Sequence, residues 1–160
     1  MSHLYLLRHA EAEPDARNDF QRELTDKGAN QSRRVAHFLM SRDIRPEVVI
    51  TSPVTRAKQT AERVCLQASL PMPVEEAFLA CGMTPDTAFE ELLAYTTKFD
   101  HVLMVGHEPD LSEFIAAAIG VHEPNSIKVR KASLIGLSFG RLTPGAATLE
   151  YNVPARMMKD

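Results

Sequence analysis

Apolar positions follow two rhythms along this chain. Residues 4–7, 48–50 and 102–105 are short unbroken apolar runs, the pattern of strands covered on both faces. Between them the apolar residues return at helical spacing. Ala29, Ser32, Ala36 and Leu39 line one face after Thr25, a residue type suited to an N-cap. Val54, Ala57, Ala61, Val64, Cys65 and Ala68 line a second face, with Ser52 expected as its cap and Pro53 as its first helical residue. Thr84 and Pro85 repeat that start signal before Ala88, Leu92 and Tyr95. A fourth helix is expected after Pro109, carrying Leu111, Phe114, Ile115, Ala118 and Ile119 and stopping at Gly120.

The C-terminal rhythm is different. Residues 134–139 read as a strand, and Ala147, Leu149, Tyr151 and Val153 alternate with polar residues. Pro144 and Gly145 mark a turn between these segments. The expected class is α/β: a three-layer α/β/α sandwich whose mostly parallel sheet closes with an antiparallel C-terminal hairpin. The length of 160 residues, with 44% hydrophobic and 24% charged residues, fits one domain over residues 1–160.

Charge and cysteine content narrow the function classes. A net charge of −3 gives no overall attraction to nucleic acid or to an anionic membrane. The basic segment Lys128-Val129-Arg130-Lys131 is expected to be a solvated loop. Cys65 and Cys81 match no metal-ligand spacing and are expected as buried small hydrophobes. No apolar run approaches a bilayer span, and no secretory signal is visible at the N-terminus. The expectation is a cytoplasmic protein.

In α/β sheets, ligands bind beyond the carboxyl ends of the strands. At those ends stand Arg8 and His9, then Ser52 with Arg56 one turn into its helix, then Gly106 and His107. Each of these has an ordinary structural reading when taken alone. Together they form a coherent chemical set. Two guanidiniums offer planar recognition of phosphate oxygens, and a neutral imidazole can act as a nucleophile. That equipment suits phosphoryl transfer, which depends on positioning and charge neutralisation. Competing signatures fail. His107-Glu108 does not extend to a zinc-binding HExxH, because position 111 is Leu and Pro109 interrupts the helix. Glycine-rich phosphate loops, a GxSxG elbow and a Cys-to-Arg phosphatase loop are not present in the sequence.

These residues carry a family resemblance. Leu7-Arg8-His9-Ala10 is similar to the RHG motif of the histidine phosphatase (phosphoglycerate mutase-like) superfamily. Ser52-Pro53-Val54-Thr55-Arg56-Ala57-Lys58-Gln59-Thr60 resembles its S-P-x-x-R-A-x-x-T element. Arg22-Glu23-Leu24-Thr25-Asp26-Lys27-Gly28 resembles R-x-L-T-x-x-G, and Val105-Gly106-His107-Glu108-Pro109 its late G-H motif. Chain length and Gly106-His107-Glu108-Pro109-Asp110-Leu111 most resemble the short SixA-type phosphohistidine phosphatases. The resemblance implies His9 as nucleophile and Arg8, Arg56 and His107 as holders of the phosphoryl oxygens. It adds Arg22 as a substrate contact and implies no metal or other cofactor. Ala10 departs from the usual Gly.

The general acid is the larger departure. Glu75-Glu76-Ala77-Phe78-Leu79-Ala80-Cys81-Gly82 has no clear match to the family's Glu. Glu11, Glu13, Asp19 and Glu108 remain candidates, and Asp19 is preferred because it precedes Arg22 in the loop expected over the site. An alkoxide leaves poorly without a proton, whereas an imidazole leaves readily. The chain is also too short for a large lid, which suits a protein side chain better than a small sugar phosphate. The expected substrate is phosphohistidine in a protein. A small phosphate ester is the alternative within the class, and a weakly catalytic phospho-binding module is the alternative outside it.

Overall fold

A computed structural model describes residues 1–14 and 17–159. Six strands form one sheet: β1 (Ser2–Arg8), β2 (Val48–Thr51), β3 (Val74–Glu75), β4 (His101–Gly106), β5 (Leu134–Phe139) and β6 (Thr148–Val153). Their order is β3-β2-β4-β1-β5-β6. The first four are mutually parallel, β5 runs antiparallel to β1, and β6 antiparallel to β5. Four helices cover the faces: α1 (Asp26–Ser41), α2 (Thr55–Ala68), α3 (Pro85–Thr96) and α4 (Asp110–Ile119). This is the expected three-layer α/β/α sandwich with its C-terminal hairpin.

Strand alternation separates two cores. Leu4 and Leu6 of β1, with Val102 and Met104 of β4, pack against α3 and α4 through Leu92, Leu111, Phe114 and Ile115. Tyr5 and Leu7, with Leu103 and Val105, pack against α1 and α2 through Val35, Leu39, Ala57, Ala61 and Val64. Because both faces are covered, β1 and β4 read as continuous apolar runs in the sequence.

Most helix starts and stops match their sequence signals. Thr25 Oγ1 accepts from Gly28 N at 3.0 Å and caps α1, and Thr84 caps α3 ahead of Pro85. Gly120 ends α4 in the left-handed region at φ 80°. The buried face of α1 turns slightly from expectation, since Val35 is fully buried while Ala29 is partly exposed. The start of α2 requires a correction. The helix begins at Thr55, its cap position is Val54, and Ser52 is used elsewhere.

The hairpin also departs from simple alternation. Gly136 pairs with Tyr151, but Leu137 pairs with Leu149, so Glu150 is an extra residue in β6. The bulge rotates the strand and leaves Leu149 39% exposed. It also sets the Tyr151 ring on Gly136, where a Cβ would lie 2.4 Å from the ring. The two-residue β3 is exposed and gave no periodic signal to read.

One glycine ties the fold to the loop that follows β1. A Cβ on Gly28 would lie 2.0 Å from the Glu11 carbonyl oxygen. That carbonyl accepts from Thr25 N at 3.0 Å, fixing the 9–11 loop on the first turn of α1. Gly→Ala inside a helix ordinarily stabilises by about 1 kcal/mol. Gly28→Ala is expected to reverse that sign and destabilise by about 1–3 kcal/mol through overpacking, read as a lower denaturant midpoint. A midpoint at or above the native value would contradict the contact.

Candidate active site

The pairing of β1 with β4 puts Arg8 opposite Gly106, so the next residue on each strand is a histidine. His9 N donates to Gly106 O at 3.0 Å, which continues the ladder one residue past the strand. The two imidazoles come to rest 5.3 Å apart between ring centroids. On the next strand, Ser52 N donates to Val105 O at 3.0 Å. Ser52 Oγ then lies 2.8 Å from His107 Nε2 while accepting from Val54 N. The serine anticipated as a helix cap is therefore the partner of His107.

Helix α2 carries Arg56 into the same cluster. Its Nε donates to His9 Nε2 at 3.3 Å. Thr60, one turn further, accepts from Ala10 N at 3.0 Å and donates to Arg56 O at 2.7 Å. The 9–10 loop is thus fastened to α2 on one side and to α1 on the other. Arg8 approaches from the opposite flank and donates from Nη1 to Val129 O at 3.0 Å. The four residues His9, Arg8, Arg56 and His107, read separately from three strand ends, are gathered at the carboxyl end of the sheet.

Hydrogen bonding selects the tautomer of His9. Its Nδ1 lies 2.8 Å from Ala10 O, and a carbonyl can only accept. Nδ1 therefore carries the proton and Nε2 presents the lone pair. Burial pushes the imidazole down to about 3 from its ordinary 6.5; the neighbouring His107, Arg56 and Arg8 act in the same direction, against the Ala10 carbonyl. Burial likewise lowers His107 to about 4, aided by Arg56 and Arg8 and opposed by Asp19. Both rings are uncharged at neutral pH. His107 Nδ1 and Arg8 Nε are buried and have no hydrogen-bond partner among the described residues. Arg8 Nε is a donor in every state; a buried donor without a partner is costly, and an anion seated there would satisfy it.

Asp19 and Arg22 lie on the loop over this cluster. Asp19 O accepts from Arg56 Nη1 at 2.8 Å, and Asp19 Oδ2 from Arg56 Nη2 at 3.2 Å. Arg22 does not reach the imidazoles. It donates from Nη1 to Asp19 Oδ1 at 3.1 Å and from Nε to Glu13 O at 2.7 Å, so it braces the loop. The Arg22 bond, with Arg56 nearby, holds the Asp19 carboxyl below its ordinary value despite some desolvation. Asp19 in this arrangement is an ionised carboxylate engaged by two arginines, which is poor equipment for donating a proton. Glu108 accepts from Ser112 N at 2.7 Å, and Glu11 from the Thr25 hydroxyl at 2.8 Å.

Cys81 corrects another expectation. Cys65 is buried, but Cys81 is exposed, and its Sγ lies 3.7 Å from Arg56 Nη2. Asp110 holds that segment by accepting from Gly82 N at 2.9 Å and Met83 N at 3.1 Å. The sequence held signals for Ser52 and Thr60, the polar ends of the S-P-x-x-R-A-x-x-T element, but none for Cys81. Among the described residues, no group of three or more His, Cys, Asp or Glu side chains is arranged to hold a metal ion. No described helix is long and apolar enough to cross a membrane.

Comparison with known proteins agrees with the geometry. The model of the histidine phosphatase superfamily (branch 1) matches residues 4–83, and this chain belongs to that superfamily. An uncharacterized protein of Picosynechococcus is 32% identical over 86% of this chain and 85% of its own. Within the superfamily, the phosphohistidine phosphatase SixA of Escherichia coli is 36% identical over 49% of this chain and 50% of its own. The fold also superimposes on a structure of SixA complexed with tungstate, with a TM-score of 0.88, 24% identity and coverage of 96% and 97% of the two chains.

The buried neutral histidines make acid stability a direct test. Unfolded histidine takes up a proton near pH 6.5, whereas folded His9 and His107 do so only near 3 and 4. Between those values the unfolded state binds more protons, so stability falls as pH drops from about 6.5 towards 4. His9→Asn is expected to reduce the slope of unfolding free energy in that window. Ring NMR signals of His9 and His107 that titrate near pH 6.5 would contradict the burial argument.

Proposed function

We propose that this chain is a metal-independent phosphatase that works through a phosphohistidine intermediate and acts on phosphohistidine in a protein. The observation that carries this reading is the lone pair of His9 Nε2, fixed by the Ala10 carbonyl beside buried polar atoms that lack partners among the described residues. Likeness to SixA over half of the chain supports the substrate class.

In this mechanism Arg8, Arg56 and His107 hold the phosphoryl oxygens. His9 Nε2 attacks phosphorus, an N–P bond forms, and the bond to the leaving group breaks. Water then attacks the phosphohistidine, releases orthophosphate and restores neutral His9. Proton transfer to the leaving group separates the candidate substrates. A phosphoimidazole can take a proton from solvent on its second ring nitrogen and depart as neutral imidazole. An alkyl ester needs a proton delivered at the breaking bond, and Asp19 is held ionised by Arg22 and Arg56. The low values of His9 and His107 keep the nucleophile uncharged before substrate arrives. The phosphoryl group then supplies the negative charge that the arginines and His107 are arranged to meet.

His9→Ala is expected to abolish turnover together with an acid-labile, base-stable phosphoenzyme detected by brief labelling. Undiminished activity in His9→Ala would overturn the mechanism. Arg56→Lys keeps the charge but loses the planar fork, and kcat is expected to fall about 10²–10³-fold. Native rates in Arg56→Lys would reduce Arg56 to a structural residue. Phosphohistidine and aryl phosphates are expected to be cleaved well and glycerol phosphate poorly in steady-state assays. Equal rates on aryl and alkyl esters, with Asp19→Asn slowing only the alkyl substrates, would instead favour a small-molecule phosphomonoesterase.

A further inference from the structure

Beside the catalytic cluster lies a second, strongly basic pocket of about 350 Å³. Its cations are Arg8, Lys27, Lys128, Arg130, Lys131 and Arg156. They come from the end of β1, the first turn of α1, the loop before β5 and the final 3₁₀ turn. Among the described residues the only carboxylate lining it is Glu11, whose Oε2 already accepts from the Thr25 hydroxyl. None of the six cations takes part in an ion pair among the described residues. Six cations against one carboxylate stand out on a chain whose net charge is −3.

The pocket is joined to the catalytic cluster by covalent and hydrogen-bonded structure. Arg8 belongs to both, and its Nη1 bonds the carbonyl of Val129 within the basic loop. The loop is closed on itself and anchored to β6 and β1. Arg130 N donates to Ser133 Oγ at 3.0 Å, Asn152 Nδ2 to Lys128 O at 2.8 Å, and Ala132 N to Arg8 O at 3.1 Å. The segment expected to be merely a solvated loop is a braced platform, with Val129 buried and Lys128 and Arg130 outside.

We propose that this pocket docks an acidic surface of the phosphoprotein substrate next to its phosphohistidine. The proposal rests on the phosphatase reading for the position of the phosphoryl group, and charge complementarity identifies the occupant. A small polyanion is gripped best by preorganised, buried donors. Here Lys27, Lys128, Arg130 and Arg156 are all exposed, and Lys131 is half-buried. Exposed cations from three separate segments present a broad field, which suits a protein surface bearing several carboxylates. Such a field accelerates encounter and orients the partner, and it weakens as salt screens it.

The test uses the full chain and two synthetic peptides, each with one phosphohistidine, flanked either by Asp and Glu or by Ser and Gln. Lys128→Gln/Arg130→Gln/Arg156→Gln removes three cations without touching the catalytic cluster or the loop's backbone bonds. Arg45→Gln/Lys98→Gln/Arg141→Gln removes the same charge from exposed positions outside the pocket. The pocket variant is expected to raise KM for the acidic peptide at least tenfold with kcat within twofold. The neutral peptide and p-nitrophenyl phosphate should change less than twofold, as should every substrate with the control variant. The native preference for the acidic peptide should shrink between 50 and 300 mM salt. Equal losses on both peptides, or no loss on either, would overturn the proposal. So would inhibition by inorganic tripolyphosphate that vanishes in the pocket variant while flanking acids have no effect, because that result describes a small-polyanion subsite. Fluorescence anisotropy with the unphosphorylated acidic peptide reads docking without catalysis. Native binding at least tenfold tighter than the pocket variant's is expected, and equal binding would overturn docking. If no phosphorylated substrate is hydrolysed, the phosphatase reading fails and the anisotropy result still decides the docking proposal.

Discussion

The parallel pairing of β1 with β4 is the constraint on which the rest of this site depends. Placing Arg8 opposite Gly106 brings His9 and His107 side by side at one end of the sheet, although 98 positions separate them. A slip of one residue would turn one ring to the other face. The register is held by apolar side chains packed on both faces of both strands, from Leu4 to Leu7 and from Val102 to Val105. Chemistry at the strand ends is thus positioned by hydrophobic burial well away from it. The adjacent pairing of β2 with β4 adds Ser52 to the same edge, and α2 follows with Arg56.

Once assembled, the cluster is governed by desolvation. Two imidazoles and two guanidiniums cannot all be charged in so small a volume, and burial settles the matter by leaving the histidines neutral. Neutrality is useful at His9, where an imidazolium would have no lone pair. It also has a stability consequence, because acid favours the unfolded chain. The same geometry therefore links reactivity and acid sensitivity through one physical cause.

Much of this was legible in the sequence because the relevant signals are local. Four helices, the long strands and the order of the layers follow from runs of apolar residues and from caps such as Thr25, Thr84 and Gly120. The candidate site residues were legible because each lies at a strand end or one turn beyond it. What escaped were contacts between distant segments. Ser52 looks like a helix cap until His107 is seen beside it. The bulge at Glu150 has no signature in an alternating sequence. Cys81 looks like a core residue until the loop held by Asp110 carries it to Arg56. The basic loop seemed unremarkable because its sequence does not show that Arg8 is bonded to its backbone.

The contact of Asp19 with Arg56 gives the site a resident anion. Under the proposed phosphatase reading, an arriving phosphoryl group would take over donors already in use by a carboxylate. In that exchange the first negative charge brought by the ligand only matches the one displaced. The second would have to be answered by groups that Asp19 does not occupy, such as Arg8 Nε, which has no hydrogen-bond partner among the described residues. Under that reading the arrangement would work as a charge filter: monoanions such as chloride or acetate would gain little by displacing Asp19, and a dianion would gain what they cannot.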